Sequence, residues 1–340
     1  MAVAGLTIEK QLWVIDGIKP PRHQSRNTPV PSPLRGGRRV RCMPSQTLPR
    51  SMWVLLLLLT LGWGFNWPMM KMTLAEMPVW TFRGLCVAAG AIGLFILARA
   101  GGQPIRVPPG QWGRLVFISI CNVTLWNVLI GYGLQMLPAG RSAILAYSMP
   151  VWAVLLSVFI LNEKLTRRRI LGLVLGMTGM AVLLGAQVSV MRISPLGAVL
   201  VLGGAISWAL GTVLMRRYPM NLGTTALTAW QLLVGGLPLM IGALLIDWGD
   251  WQPIGTRATI GLVYNMTFVV IFCYWAWFKI ATTAPPAVSS LSTLMIPIVG
   301  VFSGIWLLGE SPQWQEFAAL VLVIASLTTV LIPPRRSAAD

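Results

Sequence analysis

The chain has 340 residues, 56% of them hydrophobic and 10% charged. A soluble domain carries about 25% charged residues, so a water-soluble globule is excluded and an all-α integral membrane protein is expected. The formal net charge of +17 would suggest nucleic acid in a soluble protein. Here the basic residues fall between apolar segments and in the tails, which makes them a topology signal and leaves no nucleic-acid partner.

Residues 1–51 form a basic tail, rich in Lys, Arg and Pro and without a continuous apolar run, and are expected to be disordered. They contain no compact apolar core of a secretory signal. Met43 and Met52 stand just before the first apolar segment, so the tail reads either as a basic anchor or as sequence upstream of the true start. A spanning helix needs about 20 mostly apolar residues. Ten segments meet this: 52–70, 80–99, 112–134, 140–161, 169–187, 196–215, 224–246, 258–280, 286–308 and 314–332. The connection at 247–257, DWGDWQPIGTR, has the acidic and Trp content of an interfacial loop. Residues 333–340 make a short second tail.

Orientation follows from the bias of Lys and Arg towards the cytoplasm. With the N-terminus inside, the inner side receives Arg99, Arg106, Arg114, Lys164, Arg167, Arg168, Arg169, Arg216, Arg217, Lys279, Arg335 and Arg336, and the outer side Lys71, Arg141, Arg192 and Arg257. Twelve against four places both termini in the cytoplasm of a multi-pass inner-membrane protein. Cys86, Cys121 and Cys273 are scattered in apolar runs, Cys42 and the single histidine His23 lie in the tail, and no CxxC spacing exists. Neither a metal site nor a cofactor is expected.

The chain repeats itself. A shift of 147 residues carries Pro138 onto Pro285, Ser142 onto Ser289, Pro150 onto Pro297 and Glu163 onto Glu310, and a shift of 145 carries Trp63 onto Trp208 and Met70 onto Met215. The units are 52–187 and 196–332, five segments each. An odd-numbered unit ends on the opposite side from its start, so its copy must be inserted upside down. The expected fold is therefore ten transmembrane helices in two five-helix inverted-topology repeats, an arrangement common in secondary transporters.

Four stretches stand out beside the repeat: GWGFNW (62–67), WTFRG (80–84), PVWAVLLSVFILNEKLTRRRILGLVLGMTGMAVLL (150–184) and PIVGVFSGIWLLGESPQWQEFAALVLVIASLTTVL (297–331). Together they resemble the EamA-type branch of the drug/metabolite transporter superfamily over roughly residues 52–332. The resemblance implies a superfamily and a fold, and says little about substrate. Asn162 stands where a glycine is commoner before the first glutamate.

Pro150 and Pro297 each remove an amide donor and free the carbonyl four residues earlier, at Ala146 and Thr293. They are expected to act as hinges near mid-bilayer. The substrate cavity is expected where polar and aromatic residues lie deep in spans: Trp63, Asn66, Trp126, Asn127, Tyr147, Ser148, Trp208, Thr212, Gln231, Tyr274, Trp277 and Thr293. Helix-to-helix hydrogen bonding is the competing reading for each amide or hydroxyl. Arg83 and Arg141, both near the outer side, are expected to form a basic rim, by snorkelling or to attract anionic groups. Glu163 and Glu310 are boundary residues, Glu163 ordering its loop with Arg167. No Asp or Glu occupies a span centre, which leaves facilitated diffusion, exchange, or coupling to an ion through neutral groups.

These features predict a secondary carrier exporting a small metabolite, amino acid or organic drug by alternating access, with a small-molecule substrate and the lipid bilayer as its partners. An enzyme is disfavoured because no HExxH, GxSxG or span histidine is present. A pump is disfavoured because no GxxxxGK[ST] phosphate loop exists. A lipid or lipid-linked sugar flippase of the same fold is the alternative. The sequence does not specify an oligomeric state.

Overall fold

The computed structural model describes residues 50–189, 195–283 and 286–331, with side chains at 183–189, 278, 281–283, 286–294 and 330–331 left undescribed. Residues 1–49 of the basic tail, 190–194, 284–285 and the last residues, 332–340, lie outside that range. All regular structure among the described residues is helical.

Taking contiguous helical pieces as one rod gives α1 (Arg50–Leu74), α2 (Val79–Ala100), α3 (Trp112–Met136), α4 (Ala139–Leu161) and α5 (Arg167–Ser189). These are followed by α6 (Pro195–Arg217), α7 (Thr224–Leu245), α8 (256–283), α9 (Pro286–Leu308) and α10 (Trp314–Leu331). Among the described residues seven rods, α1 to α4 and α6 to α8, are long and apolar enough to cross a membrane. In α9 and α10 the apolar stretches with described side chains, Met295–Leu308 and Trp314–Thr329, are shorter. Rod α5 opens on three consecutive arginines, and its described side chains end at residue 182.

Ends of rods are set by local chemistry. Proline at Pro78 and Pro138 occupies the N-cap of α2 and α4 in an extended conformation, where its missing donor costs nothing. Asn162 closes α4 in the left-handed region, at φ 53°, and Gly309 follows α9 at φ 66°. Asparagine is the other residue that tolerates this conformation, which accounts for Asn162 at a glycine position.

Rods α3 and α8 are not uniform. Each contains a π-helical stretch, Ile120–Leu125 in α3 and Tyr264–Cys273 in α8, flanked by α-helix on both sides. Such stretches insert extra residues into a turn and are frequent at functional sites. Rod α4 is interrupted: α-helix ends at Ala146, Tyr147 and Ser148 make a tighter turn, and helix resumes at Met149. Pro150 thus sits in the first turn of a new helix, where its fixed φ suits it, rather than kinking a continuous one. In α9 the helix runs unbroken over Pro297.

Rods pack in a reciprocal pattern. Rod α2 lies along α7 and α5 along α10. Rod α1 packs on α8 and α9, while α6 packs on α3 and α4. Interchanging each rod with the one five places later leaves this pattern of neighbours unchanged. Small residues allow close approach: a Cβ on Gly140 would stand 3.1 Å from Val301 Cα, and one on Gly300 3.0 Å from Ala143 Cβ. The main apolar cluster includes Trp67, Phe82, Ile130, Leu134, Ile144, Val201, Val301 and Val323, contributed by seven rods.

Helix starts are also tied reciprocally. Asp247, in the loop after α7, accepts from Thr81 N at 2.7 Å and Thr81 Oγ1 at 2.8 Å at the start of α2. Gln103, in the loop after α2, accepts from Ala226 N at 3.3 Å at the start of α7. Each loop supplies an oxygen to amides that the helix itself leaves unpaired.

Candidate functional site

The deep aromatic residues fall into two groups. Trp63 of α1 meets Tyr274 edge-on at 6.0 Å and Trp277 at 5.8 Å, both on α8. Trp208 of α6 meets Trp126 of α3 at 5.0 Å. Tyr274 and Trp126 each stand at the first residue after a π-helical stretch, so the same local irregularity aims an aromatic ring at the first rod of the other unit. All five rings are partly buried. Tyr147, at the break in α4, lies close enough to Tyr274 and Cys273 to interact electrostatically with both.

The deep polar residues divide differently. Gln231 of α7 crosses between rods, its Oε1 accepting from Asn122 Nδ2 of α3 at 3.2 Å. Its Nε2 donates to Met215 Sδ of α6 at 3.1 Å. Asn127 turns back to donate to Val123 O at 2.7 Å, and Thr212 to Trp208 O at 2.9 Å. Ser148 donates to Leu145 O at 2.6 Å and accepts from Trp152 Nε1 at 3.1 Å, closing the turn in α4. Asn66 donates to Met70 Sδ at 3.5 Å, while its buried Oδ1 has no partner among the described residues. The side chain of Thr293 lies outside the described residues.

The two arginines expected at an outer rim are both buried, Arg83 at 5% exposure and Arg141 at 2%. Snorkelling does not describe them. Arg141, from α4, directs Nε at 3.0 Å and Nη2 at closer range onto Glu316 Oε1 of α10. Arg83 has no ion pair among the described residues, and its Nε and Nη2 lack hydrogen-bond partners.

The glutamates stand just past the ends of α4 and α9, with partners that sequence reasoning missed. Glu310, beyond the end of α9, accepts from Ala139 N at 2.6 Å and Gly140 N at 3.1 Å at the start of α4. A carboxylate there complements the exposed amides and positive end of the helix. Lys71 Nζ, from the last turn of α1, stands 3.8 Å from the same carboxylate and donates to Leu137 O. One acid thereby joins the ends of α1, α4 and α9. Beside it lies a cavity of about 550 Å³ lined by Lys71, Glu76, Leu137, Arg257 and Glu310. Glu163 pairs with Arg169 at 2.7 Å and Arg216 at 2.8 Å, not with Arg167. Arg169 is six residues on across a non-helical link and Arg216 is 53 residues away, so spacing along the sequence favours the wrong partner.

Comparison with known proteins accords with this architecture. The model of the EamA-like transporter family matches twice, at residues 50–185 and 195–332. The chain is 29% identical to the uncharacterized transporter YvbV of Bacillus subtilis (strain 168), covering 83% of this chain and 92% of that protein. It is 27% identical to a probable amino-acid metabolite efflux pump of Salmonella typhimurium, covering 80% of this chain and 92% of that protein. The pump of the same description in Escherichia coli (strain K12) is 26% identical, with 81% and 92% covered. A crystal structure superposes with a TM-score of 0.60 at 19% identity, over 83% of this chain and 96% of the other, a likeness of fold. The helices and the relatives together make this a multi-pass membrane protein.

Proposed function

Because the chain belongs to the EamA-like transporter family, we propose that it is a secondary carrier that exports small metabolites, amino acids or organic drugs across the cytoplasmic membrane by alternating access. In this proposal α1 to α10 are ten spans, the units 52–187 and 196–332 are related by a pseudo-two-fold axis in the membrane plane, and both termini are cytoplasmic. The observation that carries it is the reciprocal pairing of Trp63 with Tyr274 and of Trp208 with Trp126. Each pair joins the first rod of one unit to the third rod of the other, directly after a π-helical stretch. Two inverted copies that enclose a shared midplane site would pair in this manner, and irregular backbone at that depth is tolerated where it lines such a site.

The substrate cavity is proposed to lie between these aromatic groups, with Tyr147 and Ser148 at the break in α4 and Asn66, with its unpartnered oxygen, on the wall. The Glu310 junction would be the outer closure, since it ties α1, α4 and α9 at the end of the bundle assigned to the outside. Pro150 and Pro297 would mark the segments that bend as the closure opens. The relatives named as amino-acid metabolite efflux pumps make amino acids the first solutes to test. Counterflow in proteoliposomes tests the carrier: exchange of labelled internal solute for external solute is expected. Movement of labelled lipid alone would replace the carrier with a flippase.

A further inference from the structure

Among the described residues, buried charges are partnered, with one exception. Arg141 is held by Glu316, and Asp247 by Thr81. Arg83, at 5% exposure, has neither an acid nor a hydrogen-bond acceptor at Nε and Nη2 among the described residues. A guanidinium remains charged in any protein environment, and burying it without compensation is costly. Within a membrane such a residue marks a functional path far more often than a packing role.

The identity of the two unpartnered atoms is informative. Nε and Nη2 form one edge of the guanidinium fork, the edge that grips a carboxylate side-on. Arg141 directs the same two atoms at Glu316 Oε1, so elsewhere in this chain the same edge already binds a carboxylate. The surroundings of Arg83 are aromatic. Its guanidinium carbon lies 5.2 Å from the Phe82 ring centre and interacts electrostatically with Tyr274 and with Cys86, one turn along α2. Tyr274 in turn contacts Trp63, which contacts Trp277. Asp247, which reaches the same end of α2, is taken up by Thr81 N and Oγ1, and no described acid pairs with Arg83, so the neighbourhood balances a net negative ligand better than a zwitterion.

We infer that Arg83 anchors the carboxylate of the transported molecule, and that this molecule is an aromatic carboxylate monoanion whose ring lies against Trp63, Tyr274 and Trp277. The inference rests on the carrier reading above and sharpens its substrate class.

The test uses the full chain purified in detergent, with ligand binding read from tryptophan fluorescence and thermal stabilisation. The probes are 3-phenylpropionate, its uncharged amide, phenylalanine and 2-phenylethylamine. The expected result is saturable binding of 3-phenylpropionate, with the amide weaker by about tenfold to a hundredfold, the range for losing a charged hydrogen-bonded contact. Phenylalanine should bind more weakly than 3-phenylpropionate, and 2-phenylethylamine should not bind. In Arg83→Gln the preference for the acid over the amide should vanish, and Arg83→Lys should restore part of it. The native series is decisive even if neither variant accumulates. Equal binding of acid and amide, phenylalanine binding as tightly as 3-phenylpropionate, or no binding of 3-phenylpropionate would each overturn the inference. Counterflow separates it from the carrier reading. Transport of other solutes with indifference to carboxylates sinks the Arg83 anchor alone, whereas binding of 3-phenylpropionate without movement of any solute sinks the carrier alone.

Discussion

Rods α4 and α9 carry the same spacing, a proline followed thirteen residues later by a glutamate, yet they are built differently. Rod α4 breaks at Tyr147–Ser148 and restarts with Pro150 in its first turn, while α9 runs straight through Pro297. Glu163, after α4, binds the arginines of neighbouring rods α5 and α6. Glu310, after α9, reaches instead beneath the start of α4. Equivalent sequence therefore supports two conformations in one molecule. For a carrier of the proposed kind that is a requirement, because the two halves of an inverted pair must occupy different states for one side to be shut while the other opens.

The largest expected effect lies in the ion pair that ties α4 to α10, for which α9 and its neighbours have no described equivalent. Arg141→Ala, or Glu316→Ala, leaves one buried charge alone and should cost about 3–5 kcal/mol. Thermal unfolding in detergent checks this, and an unchanged melting temperature would show that the pair is not desolvated in the membrane. Next comes the difference between the glutamates. Glu310→Ala removes a carboxylate from two helix-terminal amides and should cost about 1–2 kcal/mol. Glu163→Ala loses partly exposed pairs and should cost below about 1 kcal/mol. A matching loss in both variants would erase the asymmetry drawn between the two rods.

The prolines should separate activity from abundance. Pro150→Ala and Pro297→Ala are each expected to lower initial transport rate more than membrane abundance. Of the two, Pro297→Ala should raise thermal stability more, since an interior proline costs a helix about 3 kcal/mol, whereas Pro150 occupies a tolerated first-turn position. Normal transport in both variants at equal abundance would reject the hinge role. The smallest effect is reserved for the αL closure: Asn162→Gly should be neutral or stabilising by a few tenths of a kcal/mol, and Asn162→Ala destabilising by about 1 kcal/mol. Unfolding midpoints of the pair measure it directly. If both variants matched the native chain, the backbone at Asn162 would not need its positive φ.

The positions of the helical segments were legible because apolar runs, basic loops and turn residues such as Pro78 and Pro138 are local signals. Membership of the family was legible for a related reason, since GWGFNW and the two proline-to-glutamate stretches are contiguous words. The site was legible in part. Trp63, Trp126, Trp208, Tyr274 and Trp277 were singled out as deep aromatics, and they meet in two groups. Their pairing was not readable, because partners lie 82 residues apart or more. The break in α4 was assigned to Pro150, yet it lies before it. A proline marks where a helix cannot continue backwards, and the turn that satisfies this is closed by Ser148 and Trp152.

The sequence by itself determined the solvent, the approximate spans, the twofold internal duplication and the family, all of which depend on composition and on short-range order. Tertiary structure alone decided which charges are paired. Arg83 and Arg141 look alike in sequence, each a lone cation near the start of an apolar segment. A carboxylate 175 residues away from Arg141 meets one of them, and no described acid meets the other. Electrostatic partnership depends on distance in space through a medium of low dielectric, and one-dimensional spacing carries no information about that distance once the chain has crossed the bundle.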